Sequence, residues 1–238
     1  MEISKSNLKA PQALNGFFNI NKPVNMSSAK AVAIIKKKFN LKKVGHMGTL
    51  DPLADGVLII AVGKATKLFN FLLNKTKTYK TVFEFGYETD TFDLNGQIVN
   101  SGGRIPALNE VGEKLKNFKG KIMQTPPKFS ACHVAGKRAY DLARKGKEFE
   151  LQPKAVEIFK FNLLKQLTNE QFLFEIECSS GTYIRALCRD LSLTLSTYGI
   201  TRCITRTKCG MFNIEDAKLI EEILVTDVID IEKVKECV

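Results

Sequence analysis

The chain reads as an α+β protein built on a mixed, largely antiparallel sheet flanked by helices. Three observations predict this. Two segments, Tyr79 to Tyr87 and Phe172 to Cys178, alternate apolar and polar residues with a period of two, the signature of strands with one buried face. Three others carry apolar stripes at helical spacing. Strands and helices also follow one another without the regular βαβ alternation of a doubly wound sheet.

In chain order, residues 1–15 are polar and read as a flexible leader, and residues 16–238 as one domain. Gly16-Phe17-Phe18-Asn19-Ile20 predicts a short strand ending before Lys22-Pro23. Ser27 or Ser28 caps a helix reaching Asn40, with Ala31, Ile34, Ile35 and Phe39 near one face. Its Lys36-Lys37-Lys38 run falls in the last turn, where it suits the helix dipole. A glycine-rich connection precedes a buried strand, Val57–Val62, and a helix over about 65–73. The strand from Tyr79 places Thr81, Phe83 and Phe85 on the tyrosine's face, and Asn95-Gly96 signals a turn. An amphipathic helix follows over 106–118. Residues 120–150 are basic, punctuated by Gly and Pro, and read as an insertion projecting from the sheet, with a short helix near 138–145. After the 172–178 strand comes a helix that buries Ile184, Leu187, Leu191 and Leu195 and carries Arg185 at the stripe's edge. A strand over 201–213 and a final helix over Glu215–Leu224 complete the pattern.

Composition narrows the function. Of 238 residues, 36 are Lys or Arg and 25 Asp or Glu, a formal charge of +11 that favours polyanionic partners. No signal peptide and no apolar run of membrane-spanning length is visible, so a cytoplasmic location without membrane contact is expected. The six cysteines form no CxxC pair and only two histidines accompany them, which removes the usual metal spacings. No phosphate-binding loop, HExxH or GxSxG signature is present.

The segment Gly45-His46-Met47-Gly48-Thr49-Leu50-Asp51-Pro52 is the most informative. Its glycines admit close approach of a ligand, and Pro52 keeps Asp51 out of the helical region. Such a carboxylate is either a turn former or a nucleophile. Continued to Leu58, the segment resembles the GHxGTLDPxAxGVL motif of the TruB pseudouridine synthases. Four further segments resemble that family's motifs in its order: NKPVNMSS, with Asn25 where glycine is usual; KTYKTVFEFGYETDTFDLNGQIV; QTPPKFSACHVAGKRAYDLARKG, with Phe129 for tyrosine and His133 for a frequent lysine; and CSSGTYIRALCRDL. The likeness spans about residues 16–213.

The resemblance implies a short bacterial form of the pseudouridine synthase fold, with residues 120–150 as an RNA-binding thumb. It implies conversion of uridine-55 in the T loop of tRNA to pseudouridine, the T stem-loop as partner, and no cofactor or metal. Asp51 matches the nucleophile, attacking C6 or C1′ or acting through a glycal. Tyr79 matches the base platform, and Arg185 the cation that keeps the carboxylate charged. His46, Lys22 with Pro23, Tyr183 and Ile204 match groups around the flipped nucleotide, while Asp90 and Asp93 shape either RNA binding or a turn. The 26 residues after Phe212 leave no room for the PUA-type domain many relatives carry, so none is expected. A monomer is expected. The competing reading is a non-catalytic tRNA-binding or folding factor on the same scaffold.

Overall fold

The structure, a computed structural model, describes residues 14–134 and 136–236. The chain opens with β1 (Gly16–Lys22), and the Ser27 hydroxyl caps α1 (Ser28–Lys38) by accepting the Lys30 N–H at 3.1 Å. Then come β2 (Val44–His46), β3 (Asp55–Val62), a 3-10 turn leading into α2 (Phe69–Leu73), and β4 (Lys77–Phe85). A hairpin of β5 (Tyr87–Thr89) and β6 (Ile98–Ser101) precedes α3 (Leu108–Leu115) and β7 (Gly120–Gln124). The next stretch holds a two-residue hairpin, β8 (His133–Val134) with β9 (Lys137–Arg138), and α4 (Ala139–Arg144). The rest comprises β10 (Lys154–Gln166), β11 (Gln171–Cys178), α5 (Ile184–Thr194), β12 (Gly199–Cys209), β13 (Phe212–Asn213), β14 (Lys218–Leu219) and α6 (Ile231–Glu236).

The main sheet runs β14-β1-β3-β12-β4-β11-β10-β7, with β2 and β13 attached to β3 and β12. Only β1–β14 and β3–β12 pair in parallel, so the sheet is largely antiparallel. The apolar run of β3 is buried on both faces. Leu58 and Ile60 join a core shared with α1 and α5, while Val57 and Ile59 join a second one with Leu72 and Val234.

Several expectations change. The 65–73 helix is a 3-10 turn over Gly63–Leu68 followed by α2, and β4 ends at Phe85. Gly86, at φ +114, turns the chain so that Tyr87 starts the separate β5–β6 hairpin. The helix expected over Glu215–Leu224 is absent. A 3-10 turn at Ile214–Asp216 leads into β14, which pairs with the open edge of β1, while Ile220 and Ile223 drop into the core. Satisfying an edge strand's backbone and burying two isoleucines outweighs the modest helix propensity of that segment. The longest strand, β10, has no counterpart in the sequence reading. A register shift between Ile158 and Lys160 moves the next buried residue to Phe161 and breaks the period of two. Gly120–Gln124, at the start of the expected insertion, is the edge strand β7, and the excursion from the sheet spans residues 125–153. Of the expected leader, residues 1–13 lie outside the described residues. Leu14 packs on the core, and the Asn15 side chain accepts the Lys64 N–H at 2.7 Å.

Four phenylalanines lock the β4–β11–β10 half of the sheet to the segment after α3. The Phe83 and Phe174 rings lie 4.8 Å apart, Phe161 and Phe174 5.5 Å, and Phe118 and Phe161 5.8 Å, mostly tilted or edge-on. Phe174→Ala should therefore lower the unfolding free energy by about 3–5 kcal/mol. Urea denaturation checks it, and a loss below 1 kcal/mol would mean the cluster does not hold this half of the sheet.

Candidate active site

The candidate nucleophile sits on a loop held by the segment that precedes α1. The buried Lys22 ammonium donates to the carbonyls of Pro23 at 2.8 Å, Met26 at 2.7 Å and Ala54 at 2.5 Å. The Asn25 N–H donates to the Pro52 carbonyl at 2.7 Å. Ser28 both accepts the Leu50 N–H and donates to the Leu50 carbonyl, each at 2.9 Å. The NKPVNMSS stretch thus clamps residues 50–54 from three sides. Asn25 has φ +59, so the residue replacing the family's usual glycine is one that tolerates a left-handed backbone. Within the loop, the Ala54 N–H returns to the Asp51 carbonyl at 3.0 Å, closing a turn that Pro52 favours.

From the opposite side, α5 delivers Arg185. The sequence reading set it at the edge of an apolar stripe, but only 4% of it is exposed, because β7 and the 125–132 segment cover the start of the helix. Four hydrogen bonds and a further ion pair hold its guanidinium. Nε and Nη2 donate to Asp51 Oδ2 at 3.1 and 2.7 Å, and Nη2 also to the Phe129 carbonyl at 2.9 Å. Nη1 donates to the Thr91 carbonyl at 2.9 Å and lies 3.4 Å from Asp93 Oδ2. The other Asp93 oxygen accepts the Thr91 hydroxyl at 2.7 Å and the Asn95 N–H at 2.9 Å. The Thr89–Gly96 turn is thereby a bracket for Arg185. Gly96 is required there, since a Cβ would fall 2.4 Å from Asp90 Oδ1. Among the described residues every hydrogen bond to the Asp51 carboxylate falls on Oδ2, which leaves Oδ1 unengaged.

Asp51, Tyr79, Tyr183, Arg185 and Ile204 line one cavity of about 270 Å³, so five of the seven expected residues converge. Tyr183 is fixed through its backbone, its N–H donating to Gln124 Oε1 at 2.8 Å and its carbonyl accepting from Nε2 at 3.2 Å. Burial raises the Tyr183 phenol, and raises that of Tyr79 further, so both stay protonated at neutral pH. The other two expected residues lie behind the wall. Lys22 sits under Ala54, where burial lowers its ammonium to about 8 while Asp55 and Asp51 act in the opposite sense. His46 is on β2 outside the lining, its Nδ1 buried without a hydrogen-bond partner among the described residues, and burial followed by Arg206 and Arg138 lowers its imidazolium.

Sequence reasoning passes over two groups, Lys77 and Arg206, which line the cavity, and Asp93, expected to shape RNA binding or a turn, pairs with Arg185 from such a turn. The first two carry a period-two signal, because Lys77 precedes Tyr79 by two residues and Arg206 follows Ile204 by two. Arg206 is 2% exposed; it donates to the Val57 carbonyl at 2.7 Å and reaches those of Thr49 and Gly48 at 3.3 and 3.4 Å. Its backbone lies against Gly56, where a Cβ would stand 2.4 Å from the Arg206 oxygen.

The Lys22 cage makes a measurable claim. Lys22→Met removes the donor from the buried Ala54 carbonyl and from the partly buried contacts to the Pro23 and Met26 carbonyls, and should cost roughly 3 kcal/mol of stability. Thermal and urea unfolding of the variant beside the parent chain would measure it. Unchanged stability would show that the cage does not hold the Asp51 loop.

The family model described as TruB family pseudouridylate synthase (N-terminal domain) matches residues 36–184. Among relatives, the tRNA pseudouridine synthase B of Borreliella afzelii (strain PKo) is 43% identical over 222 residues, covering 93% of this chain and 79% of that protein. That of Bartonella quintana (strain Toulouse) is 42% identical over 215 residues, 90% of this chain and 80% of the relative. Among solved structures, a Cbf5-Nop10-Gar1 complex aligns with a TM-score of 0.68 and 28% identity, covering 90% of this chain and 54% of that one. The chain thus spans about half the length of that structural relative. An archaeal box H/ACA sRNP Nop10-Cbf5 complex, at TM-score 0.65 and 24% identity over 90% of this chain and 55% of that one, shares the fold.

Proposed function

The chain belongs to the TruB family of pseudouridylate synthases, and we propose that it converts uridine-55 in the T loop of tRNA to pseudouridine by nucleophilic attack of Asp51. One observation carries this reading: Arg185 holds a single oxygen of the Asp51 carboxylate, while the other is unengaged in a cavity that Tyr79 also lines.

A base paired or stacked inside folded tRNA is out of reach, so the nucleotide must be flipped, at a cost of a few kcal/mol. The ring of Tyr79 offers a stacking platform that offsets part of it, with Ile204 and Tyr183 as apolar walls. Oδ2, fixed by two charge-assisted hydrogen bonds, sets the direction of Oδ1. Attack at C6, attack at C1′ and elimination through a glycal all start from this carboxylate. Residues 16–238 act as the catalytic domain. The 125–153 excursion brings Lys128, Lys137, Arg138, Arg144, Lys145 and Lys147 to bear on the phosphates of the T stem-loop.

Asp51→Asn retains the side chain's shape and removes its nucleophilic charge. Single-turnover assays on unmodified tRNA should show pseudouridine formation falling by about 10³-fold or more, with tRNA affinity within about twofold of the parent. Product formed at the parent rate would overturn the assignment. A parent protein that binds tRNA but forms no pseudouridine would instead favour a non-catalytic binding role.

A further inference from the structure

The cavity wall holds more positive charge than its surroundings neutralise. Arg185 is matched by Asp51 and Asp93. Lys77 and Arg206 line the same cavity at 6% and 2% exposure, yet neither forms an ion pair among the described residues. The Lys77 ammonium donates to the carbonyls of Leu73 and Lys75, both at 2.7 Å, which leaves its third N–H. Arg206 likewise directs three of its five N–H groups to backbone carbonyls. Burial lowers the Lys77 amine. Cys178 and Cys209 are its register partners on β11 and β12, so the strands that flank it offer no carboxylate at that position. Holding an uncompensated cation there is unfavourable, an arrangement that fits a site where negative charge appears during turnover.

Position says which part of the nucleotide meets it. Lys77 is two residues from Tyr79 on β4, and Arg206 is abreast of Tyr79 on β12. Both are nearly sealed, whereas the Asp51 side chain is 35% exposed. A phosphodiester remains tied to the RNA on both sides and stays at the mouth. A flipped base reaches the floor. Uracil is neutral when it arrives and becomes anionic once the N1–C1′ bond breaks.

Building on the pseudouridine synthase reading above, we infer that Lys77, with Arg206 beside it, is a further catalytic group that stabilises the detached base as an anion. The N1–C1′ bond breaks with its electron pair on the base, the charge spreads over the uracil ring and its carbonyl oxygens, and the third Lys77 N–H meets that charge. A C5–C1′ bond then forms. C5 loses one proton and N1 gains one, so the isomerisation balances without oxidant or reductant. The cation interacts weakly with neutral uracil and strongly with the anion, so it lowers the barrier more than it tightens binding.

The test is single-turnover kinetics of the parent, Lys77→Met and Lys77→Arg on unmodified tRNA, with tRNA affinity measured in parallel. Lys77→Met should slow product formation on the order of 100-fold, with affinity unchanged, and Lys77→Arg should recover at least about tenfold of that loss. A second substrate carries 5-fluorouridine at the target position, and cleavage of its N1–C1′ bond is followed. Fluorine makes the base a better anionic leaving group, so the Lys77→Met deficit should shrink there by about tenfold. If Lys77→Met does not fold, Lys77→Gln, which keeps an N–H for a carbonyl, takes its place. Equal deficits on both substrates, or an affinity loss matching the rate loss, would overturn the role of Lys77. Absence of pseudouridine with the parent protein would instead overturn the functional reading on which it rests.

Discussion

Burying one guanidinium constrains most of this architecture. Arg185 has five N–H groups and almost no access to water, so the protein must supply its partners. They come from three separated segments of the chain: the Asp51 loop, the turn that carries the Thr91 carbonyl and Asp93, and the Phe129 carbonyl. Each place is itself braced. Lys22, Asn25 and Ser28 hold the Asp51 loop, the Thr89–Gly96 turn holds Asp93, and Gln124 holds the start of α5 through Tyr183. Removing one partner from such a group leaves buried charge uncompensated, so these elements depend on one another more than their sequence separation suggests.

Much of this was legible in the sequence. The five ordered motifs pointed to the residues that converge, and the departures from them turn out to be conservative in physical terms. Asn25 adopts the left-handed backbone that glycine would. Phe129 meets Arg185 through its carbonyl, so the missing tyrosine hydroxyl does not touch that bond. His133 is exposed on its small hairpin, abreast of Arg138. What escaped the reading was whatever depends on tertiary partners. The β10 pattern was scrambled by its register shift, Lys218–Leu219 became a strand because β1 offered an open edge, and Arg185 was buried by segments distant in sequence. Lys77 and Arg206 share a period with residues that were recognised, but period alone does not separate a cation on a cavity wall from one in solvent.

Charge is distributed unevenly around the site. The 125–153 excursion carries surface lysines and arginines suited to a polyanion. In the cavity, an aspartate–arginine–aspartate arrangement carries one net negative charge. On the same wall, Lys77 and Arg206 donate to backbone carbonyls.

The sheet order carries a consequence for how the protein is made. β12 is the last long strand to leave the ribosome, yet it lies in the middle of the sheet, between β3 and β4. Until it emerges, the earlier strands form two separate halves, each with an exposed central edge. Ile204, Arg206 and the parallel contact at Gly56 also arrive only with it. Such a chain closes through contacts of long sequence separation, which slows folding and leaves unpaired edges open to wrong partners meanwhile. The strand that completes the cavity wall is also the one that seals those edges, so a nascent chain gains its cavity and its protection from aggregation in a single step.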